Sequence, residues 1–359
     1  MAIEVTHSTA ADGTFSSGGV TAWDAAHTVT GLATVATSGV YSDLTSKPTI
    51  TPSQPAGRLT LTTALPVTTA DVTAATSIYY TPYKGDLVPI YSGSAWSMTT
   101  FTELTLALDS TAAHTGYQQS GKNFDLFVVN DAGTIRLGTG PAWTSDTGRG
   151  TGAGTTQISM LNGILTNTVS MTLRFGSASG NTITVAANQG TYVGTMRASA
   201  DGQCEDSLAK RFLCNCYNDV PRVCANPTEG TNSWTYSAAA FQQANANSAN
   251  KFEIVRGLNE KPIQVWAENA FNNSTATQRN CGSGIGISST TVNSAYLRVN
   301  TTGNNGQSGF PKSSYFGCPG LGYYYLAWLE YGAGTDTQTW YGDAGIVPLQ
   351  TGIDGVVMA

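Results

Sequence analysis

Charge is scarce in this chain. Only 11% of its 359 residues are Asp, Glu, Lys or Arg, against roughly 25% in an ordinary soluble domain. The seventeen basic residues are scattered, no run is longer than Lys210-Arg211, and the formal net charge is −6. A protein that tracks phosphates needs clustered Lys and Arg to release counterions, so nucleic acid is not an expected partner. No apolar stretch approaches the roughly 20 residues that cross a bilayer as a helix, and membrane insertion is not expected either. The opening residues, MAIEVTHSTAADG, lack the basic and apolar regions of a secretory signal, so synthesis in a cytoplasm is the expectation.

Chemistry-bearing patterns are equally sparse. The three histidines, His7, His27 and His114, lie far apart in sequence. No G-x-S-x-G elbow is present to raise a nucleophile on a strand-to-helix turn. A Ser-His-Asp set could still assemble in space, but nothing in the sequence announces one. The run Gly148–Thr156, GRGTGAGTT, lacks the Gly-Lys-Ser/Thr ending that sets a lysine on phosphates, and reads as a hairpin tip or close-packed turn. Glu205 and Asp206 are adjacent, and Asp336 and Asp343 flank Trp340. Paired acids of this kind would serve glycoside hydrolysis, but acids in turns are more often solvated or bonded to a backbone N–H. Asp125, Asp131 and Asp146 lack calcium-loop spacing. No metal and no cofactor are expected.

Cysteine is missing from the first 203 residues and then occurs six times, at Cys204, Cys214, Cys216, Cys224, Cys281 and Cys318. Structural zinc sites use C-x(2–4)-C pairs, and the one close pair here, Cys214-Asn215-Cys216, is too tight. In a strand Cys214 and Cys216 share one face and Asn215 takes the other. An even number in one region suits disulfides, within the chain or between copies. Plain buried thiols are the alternative.

What the chain does contain is Gly, Thr, Ser, Ala and Asn. Hydrophobic residues make up 40%, too many at so low a net charge for a disordered chain. Thr is β-branched and suits a pleated, half-exposed surface. Residues 1–56 are poor in large apolar side chains and punctuated by Gly and Pro, which predicts an arm that orders only by packing on another chain. From Arg58 the pattern becomes that of short strands. DLVPIYSGSAWSMTTF reads as a hairpin turning at Ser92-Gly93-Ser94, and NFDLFVVNDAGTIRLG as a second over Asp131-Ala132-Gly133. Further strands are expected at 169–175, 182–186 and 190–196, then in KFEIVRGL, PIQVWAENAF, CGSGIGIS, SAYLRVNTT, GYYYLAWLEYG and TQTWYGD. A turn or short helix is expected at Glu205–Lys210, and Ala238–Asn247 is the best helix candidate. No fixed-period repeat supports a propeller or β-helix. The expected fold is all-β: β-sandwich or jelly-roll domains at 57–199 and 200–359, behind an extended N-terminal arm at 1–56.

Aromatic residues concentrate near the C-terminus, at Tyr323, Tyr324, Tyr325, Trp328, Tyr331, Trp340 and Tyr341. Alternation puts Tyr323, Tyr325 and Ala327 on one side of a strand and Tyr324, Leu326 and Trp328 on the other. One set is expected in the core. The other, with Trp340 and Tyr341, is a candidate for a subunit contact or a glycan platform.

The segment Gly31–Ile50, GLATVATSGVYSDLTSKPTI, resembles the attachment-and-spacer segment of many tailed-bacteriophage fibre proteins. The blocks IYYTPYKGDLVPIYSGSAW, SGKNFDLFVVNDAGTIRLGTGPAWTSDT, AKRFLCNCYNDVPR, YYYLAWLEYGAGTDTQTWYGD and GIDGVVMA look like successive parts of the phage proteins termed tail fibre or head fibre proteins. The resemblance implies a non-enzymatic virion subunit, usually a homotrimer, assembled in the host cytoplasm and released by lysis. Its N-terminal arm, with Trp23, Leu32, Val35, Tyr41 and Leu44, would attach to capsid, collar or tail proteins. The distal part would decorate the particle or touch a host surface glycan. Two other classes stay open: a glycan-cleaving, tailspike-like enzyme, and a capsid decoration or cement protein without receptor contact. The family offers no cysteine pattern that matches Cys214, Cys216 and Cys224.

Overall fold

The structure is a computed structural model. It describes residues 4–7, 27–30, 51–226, 229–295, 297–298, 301–303, 308–343, 345 and 350–359. The chain divides into two compact units, Met1–Ile50 and Thr51–Ala359. In the first, strands Glu4–His7 and His27–Thr30 pair antiparallel and set His7 opposite His27. The expected attachment residues Trp23, Leu32, Val35, Tyr41 and Leu44, and the whole fibre-like segment 31–50, lie outside the described residues.

The second unit is all-β. The single helical turn among the described residues is Ala244–Ala246, and no helix there is long and apolar enough to cross a membrane. Both expected hairpins form, as Leu87–Tyr91 with Trp96–Thr100 and Asn123–Asp131 with Thr134–Ala142. The second turns on Ala132 and Gly133, both at positive φ, 47° and 96°. That is what a two-residue turn matched to strand twist requires.

Strand Asn123–Asp131 shows how the unit packs. Phe124, Leu126 and Val128 enter one core with Leu59, Ile78, Tyr80 and Met196. Phe127 and Val129 point the other way, against Met171, Leu173 and Tyr192. Burial on both faces explains the unbroken apolar run Leu126–Val129, LFVV, since a strand covered on one side only would alternate. A second large core gathers Phe252, Ile254, Val265, Ile285, Leu326, Trp328 and Ile353.

One sixteen-stranded sheet threads both halves of the unit. The boundary expected between 199 and 200 falls at strands Thr191–Ala200 and Gln203–Asp206, which pair directly. From there the sheet continues through Lys210–Arg211, parallel to Lys251–Arg256, and on to Gly322–Tyr331. A hairpin, not a linker, occupies the position.

The helix expected at Ala238–Asn247 is not formed. Phe241–Gln243 is a strand paired antiparallel with residues 329–331, and Asn245 sits at φ 55°, outside the helical region. Its polar side chains are drawn away by tertiary partners: Gln242 donates to Glu330, and Asn247 to Glu229. Of the turn or short helix expected at Glu205–Lys210, only residues 207–209 form a turn: Glu205 and Asp206 end the strand before it and Lys210 begins the strand after it.

Candidate functional site

The residues singled out for chemistry are mostly engaged in holding the fold. Asp109 is buried, bonded to His114 Nδ1 at 2.8 Å and to Arg174 Nη1 at 3.0 Å. Arg174 in turn donates to the carbonyls of Thr115, Gly176 and Ala178, so this His-Asp pair belongs to a loop anchor. Glu205 is tied to Lys210 and Ser207, and Asp206 to Arg211 and Arg222. Asp336 accepts from Arg279 and Thr275, which hold its carboxyl below the usual range. Trp340, expected between two acids, lies inside the protein against Phe271, its ring N–H donated to the Tyr236 carbonyl.

The Gly-rich run works through Arg149. Its guanidinium bonds both oxygens of Asp125, at 2.6 and 3.0 Å, and the Gly257 carbonyl at 2.6 Å. It also lies over the rings of Trp143 and Tyr192. The loop is thus pinned to the core by one buried ion pair.

The aromatic cluster is largely internal. Leu326 and Trp328 fill the second core. On the other side, Tyr323 packs against the first core, lies under Arg197 at 3.6 Å and donates to Glu253. Tyr325 sits 5.0 Å from the Lys251 ammonium. Trp340 is fully buried and makes no surface contact, which corrects its assignment as a contact residue. Tyr323, Tyr325 and Tyr341 are half-buried. The reason is that both faces of Gly322–Tyr331 are covered within the chain, a fact that alternation alone does not reveal.

All six cysteines are free thiols. Cys204, Cys224 and Cys281 are buried, and burial pushes the last two up to about 12. As expected, Asn215 faces away from Cys214 and Cys216: its amide bonds both the N–H and C=O of Leu59, continuing the sheet with a side chain. The two thiols line a cavity of about 30 Å³ with Tyr192, Arg256 and Lys261. No group of three or more metal-binding side chains comes together among the described residues. Cys318 alone is exposed, so it, rather than Cys214 or Cys216, is the thiol that a second chain can reach. Native alkylation should therefore label Cys318 within minutes and the three buried cysteines only after unfolding, as mass spectrometry of quenched samples would show.

One surface stands apart. Strands Pro221–Ala225, Gly352–Met358, Ile263–Glu268, Lys312–Gly317 and Leu297–Arg298 form a five-stranded sheet in that order. Its inner residues Cys224, Ile353, Val357, Val265, Ala267 and Tyr315 enter the second core. The period of two turns the alternate residues outward. The registers align Val223, Val356, Gln264 and Phe316 as one row, and Ala225, Asp354, Trp266 and Ser314 as the next. Val223 is 55%, Trp266 44% and Phe316 58% exposed. Partial burial and the neighbouring Glu268 push the Asp354 carboxyl above its usual range. Glu268 itself pairs with Lys312 at the rim. Sequence reading placed Trp266 in a strand but did not single out its exposure. The signal was there: QVWAE alternates polar, apolar, aromatic, apolar, acidic, so the Trp shares its face with Gln264 and Glu268.

No protein-family model matches the chain, and no curated protein matches it. Among solved structures it is similar to "Structure of infectious bursal disease virus Gx strain", at 11% identity over 80% of this chain and 69% of that chain, with a TM-score of 0.23. A likeness that slight has no bearing on function.

Proposed function

We propose that the chain is a structural, non-enzymatic subunit of a bacteriophage virion fibre, held to the particle by its N-terminal segment and assembled as a homotrimer. The 51–359 unit is then the outward part, and its open sheet face is the part that meets another surface. The observation that carries this reading is that face: Trp266, Phe316 and Val223 stand exposed together on one sheet. Clustered exposed apolar side chains of this kind mark interaction sites. The engagement of Asp109, Asp206, Glu205 and Asp336 with cations supports a structural role over a hydrolytic one. The fibre-like segment 31–50 supports attachment through the first unit.

Deleting residues 1–50 should leave a folded 51–359 unit with unchanged β-type circular dichroism that no longer enters particles. Normal incorporation of the truncated chain, scored by immunoblot of purified virions, would remove the anchor from this reading.

A further inference from the structure

We infer that the cavity between strand Leu213–Asn215 and the loop after Lys251–Arg256 is a binding site for a single halide-sized anion, held by the Arg256 guanidinium. The site is independent of the fibre reading and goes beyond it.

Arg256 closes its strand and is 7% exposed. Its Nη2 donates to the Lys261 carbonyl. Its Nη1 is buried and has no hydrogen-bond partner. The other buried arginines among the described residues are provided for. Arg174 pairs with Asp109, and Arg211 and Arg222 pair with Asp206. Arg58 gives its N–H groups to the carbonyls of Pro66, Asn218 and Ala359. Arg256 keeps both an idle N–H and an unmatched charge. The carboxylates nearby are placed otherwise: Asp219 holds the Lys261 ammonium, and Glu260 is exposed at the rim.

Space for a ligand lies beside this cation. Arg256 lines the cavity of about 30 Å³ together with Cys214, Cys216, Tyr192 and Lys261. That is room for about two water-sized spheres at most, enough for a halide and too little for a phosphate, a sulfate or a sugar. Burial raises the pKa of the Cys214 thiol, while Arg256 and Lys261 pull it down, so both cations act on the space beside that sulfur. Burial raises the Cys216 thiol as well. The thiols therefore stay protonated near neutral pH and do not supply the missing negative charge. They are instead S–H donors. Cys214 donates to the Asn215 carbonyl at 3.6 Å, and the Cys216 S–H has no partner among the described residues. A water molecule would accept from Nη1 but bring no charge. A buried cation left without a counter-charge is costly, and a small anion answers both the idle donor and the charge.

The test uses the full-length chain at fixed pH, with sodium gluconate replaced stepwise by sodium chloride so that screening stays constant. Protein should broaden the chloride NMR resonance, and bromide should reverse the broadening by displacing the bound ion. Arg256→Gln, which keeps a donor and drops the charge, should weaken binding at least about tenfold. Lys261→Ala, at the rim, should weaken it less. Bromide-soaked crystals of the wild-type chain carry the test without any variant: an anomalous peak is expected within hydrogen-bond distance of Arg256 Nη1. Water there, with no anomalous signal, overturns the inference. So does chloride broadening that is undiminished in a folded Arg256→Gln variant. Acetate that displaces bromide as well as chloride does also overturns it, because the site would then take a carboxylate, from solution or from a neighbouring chain.

Discussion

Alanine in place of Arg149 is expected to destabilise the 51–359 unit by about 3–5 kcal/mol, the range for breaking one partner of a buried ion pair. Asp125 is fully buried and Arg149 nearly so. Removing the guanidinium leaves the carboxylate with the Thr195 hydroxyl, at 2.6 Å, as its remaining side-chain donor. It also frees the Gly257 carbonyl and uncovers the rings of Trp143 and Tyr192. Burial alone would lower the Arg149 pKa, but Asp125 outweighs it and raises it, so the guanidinium stays charged over the working range. Denaturant midpoints should place Arg149→Lys between wild type and Arg149→Ala, since an ammonium cannot make the two-pronged contact. The double variant Asp125→Leu with Arg149→Met should recover part of the loss. A loss under about 1 kcal/mol for Arg149→Ala would mean the loop is held by other contacts.

Stability is expected to peak in mild acid and to fall as pH rises towards 7. The cause is Glu330, which is fully buried in the second half of the unit without a cation. Desolvation raises its pKa from 4.5 to about 7, against hydrogen bonds from Gln242, Trp234 and the Asn245 N–H that favour the charge. Between those two values the folded state holds a proton that the unfolded state has lost. Stability therefore declines with rising pH across that window, by about 3 kcal/mol at about 1.36 kcal/mol per pH unit, and is level above it. Glu229 acts on the other flank. Burial disfavours its charge, but donors on Asn247, Thr231 and Asn250 prevail and hold it at about 2. Its contribution is present above about pH 4.5 and is lost as pH falls towards 2. The two together put the maximum near pH 4.5. Melting temperatures from pH 3 to 8 will check this, with Glu330→Gln as the control. That variant should lose the decline between pH 5 and 7, and it should be less stable at pH 5, because its amide turns an N–H toward a buried donor. An equal decline in the variant and the wild type would show that another group sets the slope.

Much of the architecture was legible in residue order. Hairpins over Gly93 and over Ala132-Gly133 follow from turn chemistry that is local. The alternation in QVWAE and the apolar run LFVV report whether one face or two is covered. The separation of Asn215 from Cys214 and Cys216 follows from the two-residue period of a strand. Where prediction missed, a partner distant in sequence decided. AAAFQQANAN has ordinary helix-forming content, yet Gln242 and Asn245 are claimed by Glu330, and the segment becomes strand and turn.

Residue order alone is enough to make this a folded, weakly charged, all-β chain, because strand period, turn residues and composition act over a few neighbours. Which aromatics meet solvent was settled by packing between distant segments. Trp340 is enclosed and Tyr323 half-covered because Phe271 and Tyr236, and Arg197 and Phe212, close over them from elsewhere in the chain. Trp266 remains open because its sheet packs a core on one side only. Period tells which residues share a face, but whether that face is covered depends on what the rest of the chain brings against it.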